Sequence, residues 1–487
     1  MTSGRGTGAT SRWVGILVAV YAIALLIYAE EWAFTFDEGF HLLAAQLIAA
    51  GKRPYLDFCF PQTPLNAYWN AGWMRLLGEH WQVPPLFAAL FTIGAVALTA
   101  SFVWRRFPDP DWRAAAAITA VMLTGLNAMV FIYGPLAQAY GISLFMLVAA
   151  FQMTVRTVDR TGPWAAGMAG VCAGIAAASS LLTAAAAPVL LAWILYYHRA
   201  GNRVPKFATF CAGVAIPFAP VMRLAWQGPQ QTWFNLIQYH VSFRQLYWRE
   251  TTSHDVEILT SWIDSGQALL IGLLAVSGLL YVVRRSQWPT AVKAEFYLCA
   301  WLAAALSAEA GRAHPTFARY FLLSVPFLAI LAGAGLHAIG SRLFEIDKLP
   351  WVFAALTLLM CLGLARSLYD HRYLGDWSGW QRLAHKVDEV TPAGASLFAN
   401  EPIYFLTRRA PPSGLELSYS HKVDLGPAKN RLMHILTDAG VKRQIQSGLF
   451  ATALSCDDDQ IQELGLPDLY RQRADLEDCS IFWNRKK

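Results

Sequence analysis

Apolar runs of roughly 17–22 residues with few charges, the length a bilayer core requires, recur through the first three quarters of the chain. Eleven can be read, at about 13–30, 83–104, 113–132, 135–155, 163–180, 182–198, 206–224, 262–283, 292–310, 317–338 and 350–367. In the pair 163–198 an Ala-rich middle, AAASSLLTAAAAP, hides the turn. Between the first two runs lies a stretch of different character, FDEGFHLLAAQLIAAGKRPYLDFCFPQTPLNAYW, residues 36–69. It opens on the adjacent carboxylates Asp37 and Glu38. Apolar residues then recur at helical spacing over 39–50, which predicts an amphipathic helix lying on a membrane surface. Lys52 and Arg53 end that helix, and a Pro-rich elbow (Pro54, Pro61, Pro64) feeds a second short helix over about 65–77.

From about residue 367 the pattern turns polar. Residues 380–390 read as an amphipathic helix, 396–399 as a short strand, and 392–394 and 411–414 as turns. FATALSC and DCSIFW, near the end, are β-prone and could pair. The expected organisation is a transmembrane module over 1–366, with outer-face helices at about 38–77, and a small soluble α/β domain over 367–487.

Composition agrees with a membrane setting. Of 487 residues, 55% are hydrophobic and only 15% charged, with 19 Trp, whereas a soluble protein carries nearer a quarter charged residues. Net charge is +6, yet no basic face with interleaved aromatics suggests nucleic acid. Arg5 and Arg12 precede an apolar core that is long for a signal peptide and lacks a small-x-small cleavage site, so an uncleaved first span is expected.

The short loops set an orientation. A cytoplasmic N-terminus puts fifteen basic residues inside: Arg5, Arg12, Arg105, Arg106, Arg113, Arg156, Arg160, Arg199, Arg203, Lys206, Arg284, Arg285, Lys293, Arg342 and Lys348. Eight remain outside: Lys52, Arg53, Arg75, Arg223, Arg244, Arg249, Arg312 and Arg319. An odd number of spans then places the C-terminal segment outside, with the Asp37 and Glu38 loop, residues 225–261 and the turn 311–316. This describes a multi-pass membrane protein with an extracytoplasmic C-terminal domain.

Seven Cys show no C-x-x-C spacing, which disfavours a zinc or thioredoxin-like site. Cys172, Cys211, Cys299 and Cys361 read as small core residues. Cys456 and Cys479 stand at the ends of the two β-prone runs, and either a disulfide or two thiols fits there.

Several side chains could carry chemistry. Asp37 sits where a helix begins and could act on a substrate or simply cap that helix, while Glu38 projects about 100° away. Candidate cations for an anionic ligand are His314 and Arg319 in HPTFARY, with Tyr320 as a further donor. His240 and Arg244, four apart in NLIQYHVSFR, and Lys52 with Arg53 are others. Each alone also fits a cation snorkelling to headgroups. Asp57 reads as a spare carboxylate or a turn residue, and 457–459 as a solvated acidic turn, with calcium binding a second reading. Trp69, Trp73, Trp81, Trp226, Trp233, Tyr239, Tyr247 and Trp248 read mainly as an interfacial belt.

The acidic pair after the first span, the helix that follows and the run G-K-x-P-Y-x-D-F-x-F-P-Q-T-P resemble the polytopic GT-C glycosyltransferases. The branch it is most similar to holds the bacterial protein O-mannosyltransferase relatives and the aminoarabinose transferases of lipid A. The resemblance is specific at 36–69 and weaker at HPTFARYFLLSVP, 314–326. It implies an all-α polytopic GT-C-like fold of about eleven spans with an extracytoplasmic active site, and a sugar carried on a polyprenyl phosphate. The acceptor would be a lipid, glycan or protein, and Asp37 the general base. Glu38 would orient the acceptor or balance nearby cations, and the cations above would meet the leaving phosphate. Related enzymes often carry a further acidic residue in the second outer loop, sometimes linked to metal. Here that loop reads YGPLAQAYG, with Gln138, so no cofactor is expected and a divalent cation is disfavoured.

Two other classes fit less well. A secondary transporter would place ionisable residues at mid-depth, whereas Arg223, Glu295 and Glu309 fall near span ends, and no P-loop marks an ATP-driven pump. A non-catalytic protein that binds lipid or glycan remains the third reading.

Overall fold

A computed structural model describes residues 6–159, 162–197, 203–244, 251–285, 288–343, 349–372 and 376–486. Arg5, Arg160, Arg199, Arg249 and Lys348 of the counted cations, and Tyr247 and Trp248 of the aromatics, lie outside these residues. Among those described, eight helices are long and apolar enough to cross a membrane: Arg12–Glu31, Val83–Arg106, Tyr140–Val158, Arg203–Gln227, Gly266–Arg284, Thr290–Arg312, Ala318–Leu343 and Leu349–His371. Arg113–Gly125, Trp164–Ser179 and Leu181–Tyr197 are shorter apolar helices. Every run read from the sequence falls on one of these eleven. The chain is a multi-pass membrane protein.

The chain forms two compact units, the first made of 1–33, 85–219 and 250–372. Burial ranks its helices: 89% of the apolar window of Ala318–Leu343 is buried, against 17% for Leu349–His371, so the former is central and the latter peripheral. Small residues let the central helix approach its neighbour. A methyl on Gly278 would meet the Leu331 carbonyl oxygen at 2.0 Å, and one on Gly335 would meet that of Leu274 at 1.9 Å. Close backbone contact of this kind is how helices pack where lipid removes the hydrophobic drive between them. Lipid also explains one departure from the sequence reading. Cys172 and Cys299 are buried, but Cys211 and Cys361 are exposed on their helices, since an apolar span does not require an interior position.

At two places, a break within one span and a turn between two others, a side chain from another helix satisfies the freed backbone. Residues 113–132 do not form one helix; Arg113–Gly125 stops, and Ala128–Tyr133 restarts with Asn127 as its cap. Gln267 fills the break. Its Oε1 accepts from Ala128 N at 2.9 Å, and its Nε2 donates to Leu126 O at 2.9 Å and Met360 O at 2.7 Å. At the turn hidden in the Ala-rich stretch, Glu309 Oε2 accepts from Ala185 N at 2.7 Å. Broken helices at membrane depth require such partners.

The second unit gathers 34–84, 220–249 and 373–487. Four of its helices are α1 (Phe36–Ala49), α2 (Leu65–Leu77), α3 (Trp377–Val390) and α4 (Glu401–Thr407). Its sheet has strands β1 (Leu397–Phe398), β2 (Thr452–Ser455), β3 (Tyr470–Leu476) and β4 (Cys479–Arg485) in the order β1-β2-β4-β3. β1 runs parallel to β2, and the other pairings are antiparallel. The two β-prone runs pair as β2 and β4, Thr452 opposite Trp483 and Ser455 opposite Ser480. The run 457–459 is a helix start, not a turn: Asp457 accepts from Asp459 N and Gln460 N.

Cys456 and Cys479 are joined as a disulfide across a sequence separation of 23. Non-reducing peptide mapping is expected to find one cross-linked pair, and Cys456→Ala to cost about 2–4 kcal/mol of stability in this unit. Two free thiols in protein taken from intact cells would contradict both the bond and the outward placement of this segment.

Candidate active site

α1 carries the acidic pair. Thr35, in extended conformation, precedes it, and Asp37 and Glu38 lie in its first turn, where the helix dipole favours negative charge. Asp37 is therefore not the cap that its position allowed. The other end of α1 is closed by Arg75, which donates to Ala49 O and Ile48 O at 3.0 Å each. The helix is not an amphipathic one laid on a surface, because every residue from Glu38 to Ile48 is buried. α2 covers it on one side. Pro402 at the start of α4 packs so close on another that a methyl on Gly39 would fall 2.5 Å from its ring. The polar face is answered inside the unit, with Gln46 Nε2 donating to Glu79 Oε2 at 2.7 Å and Phe405 O at 3.1 Å.

The two carboxylates have different surroundings. Glu38 is fully buried and accepts from the Trp377 indole N–H at 3.3 Å. Trp377 in turn stacks on Trp81, with ring centroids 5.1 Å apart, so Trp81 is an internal support and not part of a belt. Trp226 and Trp233 do stand exposed. Asp37 is only partly buried, and its Oδ1 accepts from the Tyr419 hydroxyl at 2.9 Å.

Two segments hold the Pro-rich elbow through its backbone. Asn235 Oδ1 accepts from Phe60 N at 2.8 Å, His240 Nε2 donates to Pro61 O at 2.7 Å, and His434 Nε2 donates to Leu56 O at 2.7 Å. Asn235 and His240 come from a π-helical turn, Phe234–Phe243, a rare geometry found often at functional sites. Burial, with the nearby Arg244 charge, pushes the His240 imidazole down to about 4, against the opposing pull of the Pro61 carbonyl. His240 is thus a neutral brace at pH 7 and not a cation for a phosphate. Arg53 is also committed elsewhere. It holds Asp57 through Nε at 3.0 Å and Nη2 at 2.9 Å, its backbone N–H adds a third bond, and Asp57 is therefore the turn residue. Lys52 is exposed.

α4 and the loop after it bring carboxyls that sequence reading did not single out. Glu401 is 2% exposed and accepts on Oε1 from Ser418 N at 2.7 Å and Ser418 Oγ at 2.9 Å. Burial raises its carboxyl above the ordinary range, and the charge of Asp37 adds to that shift. Burial likewise pushes Glu416 up to about 7, against the Gly414 N–H and the Lys52 charge. A carboxyl inside EPIYFL was the one available signal, since a buried acid needs partners.

Glu416 has a consequence for pH. The native carboxyl keeps its proton where the unfolded one, near 4.5, has lost it. Its stabilising contribution is whole below about 4.5 and disappears as pH climbs through about 7. Glu416→Gln is expected to flatten this decline, worth about 3 kcal/mol, in unfolding midpoints measured at pH 5 and pH 8. An unchanged difference between the two midpoints would contradict the assignment.

His314, Arg319 and Tyr320 belong to the first unit. His314 Nδ1 is bonded to the Asp255 carboxylate, whose Oδ1 also accepts from Thr316 N at 2.7 Å. His254 Nε2 donates to Thr316 O at 3.0 Å. The Arg319 guanidinium lies over the Phe317 ring, 4.4 Å from its centroid, and 5.9 Å from that of Tyr320. Asp255 is the partner that sequence reading missed. Among the described residues, no group of three or more His, Cys, Asp and Glu is placed to hold a metal ion.

No protein-family model matches the sequence, and no curated protein matches it significantly. Solved structures do match. ArnT from Cupriavidus metallidurans bound to undecaprenyl phosphate superposes with a TM-score of 0.68 at 14% identity, covering 97% of this chain and 98% of that one. Its apo structure gives the same figures. The Archaeoglobus fulgidus oligosaccharyltransferase tethered with an acceptor peptide containing the NVT sequon gives 0.55 at 12% identity, over 91% of this chain and 69% of that one. At these identities the likeness is one of fold. The polytopic fold implied by the resemblance at residues 36–69 is the fold of this chain, shared with ArnT and the oligosaccharyltransferase.

Proposed function

We propose that this chain is a membrane glycosyltransferase that moves a sugar from a polyprenyl-phosphate donor to an acceptor on the outer face, with Asp37 as general base. One observation carries the reading: on the fold of ArnT, the residue matching the family's acidic motif is a partly exposed carboxylate in a helix first turn, oriented by a tyrosine. Behind it, Glu38 is fully buried and accepts from Trp377.

The chemistry follows from those parts. An acceptor O–H or N–H gives its proton to the Asp37 carboxylate as its electron pair bonds to the anomeric carbon. The bond from that carbon to the phosphate oxygen breaks, and its electrons leave with the polyprenyl phosphate. Attack in line with departure inverts the anomeric centre. Lys52 and Arg244 are the cations assigned to the leaving phosphate, and Glu38 keeps the first turn of α1 in place.

The test is an assay on purified protein in vesicles, offered a panel of polyprenyl-phosphate sugars with extracted envelope acceptors. Stoichiometric release of polyprenyl phosphate with a glycosylated product is expected. No release from any donor, together with solute flux driven by an ion gradient, would replace this reading with a transporter.

A further inference from the structure

The surroundings of Asp37 are built in part from a segment far along the chain, and that segment is pinned twice. The Tyr419 carbonyl accepts from the Tyr239 hydroxyl at 3.2 Å. Ser418, the residue before it, gives both its N–H and its hydroxyl to Glu401. Glu401 is buried and its Oε2 has no partner among the described residues. A carboxyl kept in such a place is costly, and what it secures is the two-residue segment whose tyrosine points at Asp37.

We propose that Tyr419 is a positioning residue for the transfer step: its hydroxyl fixes the Asp37 carboxylate in one orientation, while Glu401 and Tyr239 hold the backbone that presents it. The proposal rests on the reading of Asp37 as base. Tyr419 exchanges no proton in the step. The acceptor's proton goes to Asp37, and the departing electron pair goes to the phosphate.

Tyr419→Phe removes one oxygen atom and tests the idea. The expected result is a kcat about tenfold to a hundredfold lower with donor KM nearly unchanged. Tyr404→Phe is the control. Its hydroxyl, fully buried in the same unit, donates to Leu397 O at 2.8 Å, so loss of packing alone lowers the folded fraction and leaves kcat per folded enzyme unchanged. Ser418→Ala, which removes one bond to Glu401, should lower kcat the same way by less, and decides the matter if Tyr419→Phe does not accumulate. A wild-type kcat in these variants beside an inactive Asp37→Asn overturns this inference alone. An active Asp37→Asn removes the base and the inference together, and a wild-type protein without transfer removes the function itself.

Discussion

Asp37→Asn is expected to lower the proposed sugar transfer about 10²- to 10⁴-fold while the protein still folds and binds its donor. Asparagine has the shape of aspartate, and its carbonyl oxygen can still accept from Tyr419. What it loses is the capacity to take a proton, and a positioned general base is worth about 10²–10⁴ in rate. The folding cost is small, since one charge in a helix first turn contributes about 0.3–1 kcal/mol. The experiment pairs turnover with a thermal unfolding curve and donor binding. Transfer near the wild-type rate in a folded variant would dismiss Asp37 as base.

Gln267→Leu has the largest expected effect on stability. The substitution strands the Ala128 N–H and the Leu126 carbonyl at the break and removes a further bond to the Met360 carbonyl. A buried group left without its partner costs about 1–3 kcal/mol, and water is not at hand within a bilayer to repair the loss. A destabilisation of about 3 kcal/mol or more, seen as a drop of several degrees in detergent, is expected. Leu273→Ala on the same helix is the comparison, because that side chain is 60% exposed and should matter little. Equal behaviour of the two variants would show that the break at residues 126–127 holds itself.

The spans were legible because the bilayer asks for one property, sustained apolarity over a fixed length, and each run answers it alone. What interrupts them was not. The amide that bridges 126–128 lies 139 positions away, and nothing near Asn127 announces it. The reading of α1 failed for a related reason. Helical spacing tells which residues share a face, not what covers that face, and Gln46 finds partners 33 and 359 positions distant. In the candidate site, Asp37 was found through its resemblance to a family motif. Tyr419, Glu401 and Asp255 carry no local pattern of that kind. His240 looked like a charge because the sequence does not reveal the burial that neutralises it.

The contact between Asp37 and Tyr419 spans 382 positions, and β2 cannot complete its pairing until β4 exists. During synthesis, then, the acidic helix leaves the ribosome early and waits while the intervening spans are inserted. The unit that holds it matures late, as contacts of such long range do. A nascent chain arrested before residue 479 would lack the strand that completes the sheet, and the unit that carries Asp37 would be left unfinished.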